Sequence, residues 1–382
     1  MIAYLDNAAS TQPLPEIIAA VAQAMREQFA NPSSLHGPGA AAARTLATAR
    51  EQVAALVHGE PEEIVFTGSG TEANALGFVG AARASRLRHL VVSSIEHAAI
   101  FNSARRLAEQ GWQITEVPPA ADGRVTAEEV LAAIQPETST VAVMLVNNEI
   151  GTVQPVADIA RALRTVGRKI HFHVDAVQFA GIVALDVRTK GADTVAISAH
   201  KLHGPKGIGA LWLRKGRTLA PLHGGGGQER DLRSGTENLP AAVGFGVAAT
   251  AARADTAAGT RVAGLRDRFE TLVFEKLPHA APAVPLTSIR APHIASVLLP
   301  GLPAEPVLHA LEARGVLASE GAACSTRTHE QSRVLRALGV PTSTGGLRFS
   351  LSRLTTPEEV EHAASALTEA VAEIQRTVKP RR

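Results

Sequence analysis

The sequence predicts an α/β protein, with a mostly parallel sheet covered by helices on both faces and a smaller α+β unit after it. Two observations carry this reading. Short β-branched or apolar runs (IVFT, HLVVS, VAVMLV, HFHVD, TVAIS) alternate with helical stretches of about 10 to 15 residues, the pattern of strands joined by helical crossovers. Composition then shifts near residue 250, where an alanine- and arginine-rich stretch, AATAARADTAAGTRVAGLRDRF, reads as one long helix bridging two lobes. The division expected is 14–250 for the large lobe, with 1–13 and 251–382 forming the small one.

In chain order, AYLD is a short strand and Asn-Ala-Ala-Ser-Thr a turn. Ile17, Ile18, Val21 and Met25 recur at helical spacing in a helix from about Pro15 to Phe29. ANPSSLHGPG is loop, and the alanine-rich run from Gly39 to His58 is an amphipathic helix. IVFTGSGTEANALGFVG reads as strand, glycine turn and a helix opening near Thr71, whose first free amides can hold an anion. HLVVSSIEHAAI brings Glu96 and His97 to the end of a strand. VAVMLVNNEIG is a continuous apolar strand emptying into Asn147, Asn148 and Glu149. Beyond the bridging helix come the strand HIASVLLP, the helix EPVLHALEARG, a cysteine-containing loop, the helix SRVLRALGV and the strand GLRFSLSR. Thr356-Pro357-Glu358-Glu359 then opens the last helix as a capping box with proline at its first position.

The chemistry concentrates between His171 and Lys201. HFHVDAVQ ends a strand on Asp175, with Gln178 three residues on, and TVAISAHKLHGPKG ends the next on Ser198, His200 and Lys201. In an open α/β sheet, the carboxyl ends of strands are where ligands bind. An amine, a carboxylate, an amide, a hydroxyl and an imidazole on that rim suit pyridoxal phosphate. The lysine forms a Schiff base, the acid pairs with the pyridine nitrogen, and the donors take the phosphate and phenolate. Of the seven lysines, Lys201 alone directly ends an apolar strand; Lys206 is its near rival.

Totals bound the alternatives. With 382 residues and a net charge of +2, the chain can bury a full core, and its arginines are scattered rather than gathered into a basic stripe, which argues against nucleic acid as a partner. No apolar run reaches the roughly 18 residues of a membrane span, and MIAYLDNAAS lacks the features of a secretory signal, so a cytoplasmic location is expected. The single cysteine, Cys324, excludes an internal disulfide and a zinc site built on several thiolates; no metal site is expected. Its setting, ASEGAACSTRTHEQS, has no apolar period and points to an exposed, reactive thiol. No G-x-G-x-x-G opens a helix after the first strand, which disfavours a dinucleotide enzyme.

Taken together, YLDNAAS, NPSSLH, EIVFTGSGTEANAL, IEHAAI, VNNEIG, HVDAVQ, SAHKLHGPKGIGALW, GGGQERDLRSGTEN and LRFSLSR resemble, in order and over nearly the whole chain, the cysteine desulfurases of the NifS/IscS type, in the class V branch of aminotransferase-like enzymes. The resemblance implies PLP fold type I, with a mostly parallel seven-stranded sheet, and conversion of L-cysteine to L-alanine through a cofactor ketimine and an enzyme persulfide. The sulfur would go to an acceptor or scaffold protein for iron–sulfur clusters or thiolated tRNA and cofactors. Selenocysteine lyase, or another class V lyase or aminotransferase, is the alternative.

By the same resemblance, Lys201 holds pyridoxal 5'-phosphate and shuttles the substrate Cα proton, Asp175 pairs with the pyridine nitrogen, and Gln178 bonds the phenolic oxygen. His97 stacks on the ring and relays protons. Gly70, Thr71, Ser198 and His200 grip the phosphate, completed by Thr236 of the partner subunit in a homodimer. Arg348 forks onto the substrate carboxylate with help from Asn148 and Asn7, and Cys324 attacks the sulfur as thiolate. Around that cysteine the chain reads Ser-Glu-Gly-Ala-Ala-Cys where the family commonly has Ser-Gly-Ser-Ala-Cys. Glu320 near the thiol would raise its pKa and Arg327 counter it. An extra glycine in HGGGGQE and the aspartate in ERDLRSG are smaller departures, and the carboxyl-terminal tail carries no scaffold-docking signal.

Overall fold

A computed structural model of the chain describes residues 1–179, 181–320 and 331–378. Seven strands form its main sheet: β1 (Ile64–Thr67), β2 (His89–Ser93), β3 (Gln113–Val117), β4 (Thr138–Ala142), β5 (His171–Asp175), β6 (Thr194–Ser198) and β7 (Gly209–Leu213). Their spatial order is β1-β7-β6-β5-β4-β2-β3. Only β7 runs against the others; it is antiparallel to both β1 and β6. The central strands are buried on both faces, as in a sheet covered by helices, although β4 (TSTVA) and β5 (HFHVD) carry polar side chains into that interior.

The chain steps outward from β2 to β3, then returns across β2 to lay down β4, β5 and β6 on the other side. Such a reversal opens a crevice at the carboxyl ends of the strands. Here it lies between the segments that follow β2 and β4.

Helices α1 (Pro15–Glu27), α2 (Gly37–Leu56), α3 (Gly70–Ala84) and α4 (Ala98–Ala108) come from the first third of the chain. Helix α5 (Leu239–Ala254) lies on α1 and α2. Small residues let it do so: a Cβ at Gly246 would stand 3.1 Å from the Ala49 Cα.

The single bridging helix expected around residue 250 is instead two. Helix α5 ends at Ala254, and α6 (Ala258–Lys276) begins after a turn whose Asp255 carboxylate pairs with Arg261 at 2.8 Å. The break has a packing reason. Helix α5 serves the large core through Phe245 and its alanines, whereas α6 buries Val262, Phe269 and Val273 in a separate core.

That second core holds β8 (Ile294–Pro300) and β9 (Thr344–Ser350), antiparallel, with Ser296 opposite Arg348. Phe349 of β9 meets Phe269 of α6 with ring centroids 4.6 Å apart. Helix α7 (Pro357–Val378) closes this lobe; its capping box forms, with Thr356 N donating to Glu359 at 2.8 Å and Glu359 N to the Thr356 hydroxyl at 3.3 Å. The amino terminus joins the same lobe: Ala3–Tyr4 pairs in parallel with Val316–Leu317, and Asp6 bridges Ser350. The apolar run VAVMLV is strand only to Ala142, yet its ladder to β5 continues, with Leu145 N donating to Asp175 O at 2.8 Å.

Candidate active site

A cavity of about 530 Å³ lies at the carboxyl ends of β2, β4, β5 and β6, and Arg348 of β9 reaches it from the small lobe. It is lined by Gly70, Thr71, His97, Asn148, Asp175, Gln178, His200, Lys201 and Arg348, so nine residues named from the sequence converge on one space. A larger hollow, about 620 Å³, lies in the small lobe, but no lysine or arginine among the described residues lines it.

Asp175 ends β5 and is buried. Its Oδ1 accepts from Val177 N at 2.9 Å and its Oδ2 from Asn74 Nδ2 at 2.8 Å. Burial pushes its pKa up, while the neighbouring His97 and these two donors pull it down. Such a carboxylate awaits a buried cation. Lys201, in the short turn after β6, donates to the carbonyls of Ala8 and Ala9, the latter at 2.8 Å. Burial lowers its amine to about 8, Arg348 adds to the lowering, and Asp6 and Asp175 oppose it. About a tenth is therefore neutral, and nucleophilic, at pH 7, far more than for an ordinary lysine.

The N-terminus of α3 faces Ser198. A Cβ on Gly70 would lie 2.8 Å from Val177 Cγ2 and 3.5 Å from the Ser198 hydroxyl, so that hydroxyl stands beside the helix's first amides. Ser198 is buried and its hydroxyl has no partner among the described residues. Buried polar atoms are normally bonded, so an unpaired hydroxyl against a helix N-terminus marks an anion seat. His200 adjoins it; burial and two lysines lower its imidazole to about 4.

Gln178 gives one N–H to Ala8 O at 2.8 Å, and its buried Oε1 has no partner among the described residues. A buried carboxylate, a depressed amine, an anion seat and the remaining N–H of the Gln178 carboxamide together match the pyridine nitrogen, aldehyde, phosphate and phenolic oxygen of pyridoxal phosphate. The residues present fit that group.

His97 caps α4: its Nδ1 accepts from Ala99 N at 3.1 Å. Burial lowers its pKa, so the ring is neutral and, with Nδ1 accepting, is assigned its proton on Nε2. Before taking up a further proton, Nδ1 must release the Ala99 amide.

Arg348 is buried, donating from Nη1 to Asn148 O at 2.9 Å and from Nη2 to the Asp6 carboxylate at 2.7 Å. Asn148 thus meets it through its backbone carbonyl. Asn7 is not among the cavity residues; its amide is engaged by Tyr4 O at 3.0 Å and Ser350 O at 2.9 Å. Its neighbour Asp6 holds the arginine instead. Thr236 is exposed and lines a separate hollow with Phe66 and Arg233, outside the cavity that holds Lys201. Cys324 and Arg327 lie outside the described residues, whereas Glu320 lines the small-lobe hollow rather than this cavity.

Sequence reasoning missed Asn74 and Asp6. Asn74 carried a signal, as the one carboxamide in the apolar stretch ANALGFVG; nothing local marked Asp6 as the partner of a residue 342 positions away. Glu96 was placed on the rim but given no role. Its Oε1 accepts from the Ser93 hydroxyl at 2.5 Å and from Met144 N at 2.7 Å, and burial raises its carboxyl to about 8.

The aminotransferase class-V family model matches residues 3–362. A cysteine desulfurase of Cereibacter sphaeroides is 42% identical over 371 residues, covering 95% of this chain and 94% of that protein. Among solved structures, a NifS-like protein superposes with a TM-score of 0.89 at 32% identity, covering 98% of this chain and 100% of that one. SspA in complex with cysteine superposes with a TM-score of 0.80 at 32% identity over 92% and 99% of the two chains.

Proposed function

This chain belongs to the aminotransferase class-V family, within it to the pyridoxal-phosphate-dependent cysteine desulfurases, and we propose how its own residues divide the labour. The observation that carries the assignment is the convergence, at one sheet edge, of a depressed amine, a buried carboxylate and an open anion seat.

Bound pyridoxal phosphate supplies an aldehyde that joins amines and a ring that accepts the electron pair released at the substrate Cα. Lys201 would hold the cofactor through its amine and, with L-cysteine bound, would take and return the substrate Cα proton. Asp175 holds the pyridine nitrogen protonated. Gly70, Thr71, Ser198 and His200 bind the phosphate, and Gln178 donates its second N–H to the phenolic oxygen. His97 covers the ring and presents its Nε2–H.

Arg348 binds the L-cysteine carboxylate by a two-pronged contact, exchanging Asp6 for the substrate; Asn148 positions it. The Cys324 thiolate attacks the substrate sulfur. A sulfur–sulfur bond forms as the carbon–sulfur bond breaks, the carbon fragment gains a proton and leaves as L-alanine, and the sulfur remains on Cys324 as a persulfide. That sulfur passes to an acceptor or scaffold protein for iron–sulfur clusters or thiolated tRNA and cofactors.

A homodimer fits the distribution of parts. Thr236 is exposed and does not line the cavity of its own chain, and Ile18, Met25 and Phe29 form an exposed apolar face on α1 and its exit. Two lobes, 14–250 and 1–13 with 251–382, fit the separate cores and the pairing of Ala3–Tyr4 with Val316–Leu317. Among the described residues no helix is long and apolar enough to cross a membrane, and a cytoplasmic setting suits a thiol nucleophile.

The test is product balance. With L-cysteine and a reductant, the purified enzyme releases L-alanine and sulfide in equal amounts, and Cys324→Ala loses sulfide release while keeping the cofactor's colour. Alanine without sulfide, or full sulfide release by Cys324→Ala, counts against the reading.

A further inference from the structure

Strand β5 carries three polar residues on one face, because side chains two apart in a strand point the same way: His171, His173 and Asp175. They are joined into one line of hydrogen bonds. Asn74 Nδ2 donates to Asp175 Oδ2 at 2.8 Å, Asn74 Oδ1 meets His173 Nε2 at 2.9 Å, and His173 Nδ1 meets the Thr194 hydroxyl at 2.9 Å. That hydroxyl meets His171 Nε2, also at 2.9 Å. His173, Asn74 and Thr194 are fully buried, so no solvent offers substitute partners.

Donor and acceptor counting leaves this line one polarity. An ionised Asp175 only accepts, so Asn74 turns its NH₂ toward it and its carbonyl toward His173. His173 Nε2 must then carry a proton. Burial lowers the imidazoles of His173 and His171 to about 3, so each ring is neutral and bears only one. The bare Nδ1 of His173 accepts a hydrogen bond from the Thr194 hydroxyl, and Thr194 in turn accepts from His171. With the other His173 tautomer, Nε2 would need a donor, Asn74 would flip, and its carbonyl would face the Asp175 carboxylate in a dry interior.

The fold makes room for this arrangement. Gly77 lies one helical turn after Asn74 on α3, and a Cβ there would stand 2.5 Å from His173 Nδ1. One helix therefore offers its N-terminus to the anion seat and its next turn to the Asp175 network.

We propose that His173 is a positioning residue: through Asn74 it fixes the carboxamide that faces Asp175, and so keeps that carboxylate an acceptor for the cofactor's pyridine nitrogen. This rests on the desulfurase reading and extends it inward from the residues that touch the cofactor.

The test uses holoenzyme with ¹⁵N-labelled histidine and, separately, ¹⁵N-labelled pyridoxal phosphate. In the wild type, His173 shows a protonated Nε2 and a bare Nδ1, and the pyridine nitrogen is protonated. His173→Leu shifts the pyridine signal toward the unprotonated form and lowers kcat about 10- to 100-fold, the scale of losing an outer partner of a site ligand, with KM for L-cysteine little changed. His173→Gln, which can still donate to Asn74, restores both. A protonated Nδ1 on His173, an imidazolium, or an unchanged pyridine signal in His173→Leu overturns the proposal. Should His173→Leu fail to fold, the wild-type tautomer decides alone. Failure of the wild type to release sulfide from L-cysteine counts against the desulfurase reading and leaves the tautomer measurement standing.

Discussion

The rim of the large sheet and the small-lobe strand facing it hold their charges in opposite ways. On the rim, Ser198 and Gln178 keep buried oxygens with no partner among the described residues, and Asp175 rests on neutral donors. Across the cavity, Arg348 already holds the Asp6 carboxylate and the Asn148 carbonyl. On the proposed reading, the first arrangement would be a seat for a resident group, and the second a clamp that a substrate carboxylate would open by exchange. A cofactor that stays and a substrate that comes and goes call for these two solutions.

The largest effect belongs to the rim. Lys201→Ala removes the amine that captures the cofactor and moves the Cα proton, and alanine formation from L-cysteine falls by about 10³-fold or more. Retained turnover would move the chemistry to another lysine, with Lys206 the nearest in sequence. On the clamp side, Arg348→Lys keeps a cation but loses the planar fork, and kcat/KM for L-cysteine drops about 10- to 100-fold with the cofactor's absorbance unaltered. An equal loss in cofactor binding would erase the distinction between seat and clamp.

Acidity sharpens the comparison further. Burial places the Lys201 amine at about 8, well below an ordinary lysine. Only the neutral amine attacks an aldehyde. Capture of pyridoxal phosphate by the cofactor-free protein therefore quickens about tenfold per pH unit below that value and levels off above it. Stopped-flow absorbance checks this, and a rate still climbing at pH 10 contradicts it.

The smallest effect lies outside both regions. Glu229, Arg230 and Asp231 all adopt left-handed backbone, with φ of 47°, 60° and 62°. Asp231 is exposed, and a left-handed conformation costs a non-glycine residue about 1–2 kcal/mol. Asp231→Gly relieves that strain against a smaller entropy cost, raising stability by about 0.5–1 kcal/mol in urea unfolding with turnover unaltered. A loss of stability would mean the aspartate side chain stabilises the loop by more than its strain.

What could be read from the sequence follows the range of each interaction. Strand ends, the helix opening near Thr71 and the capping box at Thr356 depend on neighbours a few residues apart, and the structure has them close to where the pattern puts them. The break at Asp255 was hidden because alanine-rich sequence on both sides favours helix, and only the demands of two separate cores impose the turn. The pairing of Asp6 with Arg348 was hidden for a related reason. Which of two adjacent polar residues faces Arg348 is decided by β9, far along the chain. Asn74 and His173 were visible as letters, yet their partnership arises only when α3 crosses β5.

The most direct measurement traps the cofactor on the protein. Borohydride reduction of the holoenzyme, followed by proteolysis and mass spectrometry, should place the phosphopyridoxyl group on the peptide containing Lys201 and on that residue. Attachment to Lys206 or to any other amine, or no attachment at all, would contradict the account.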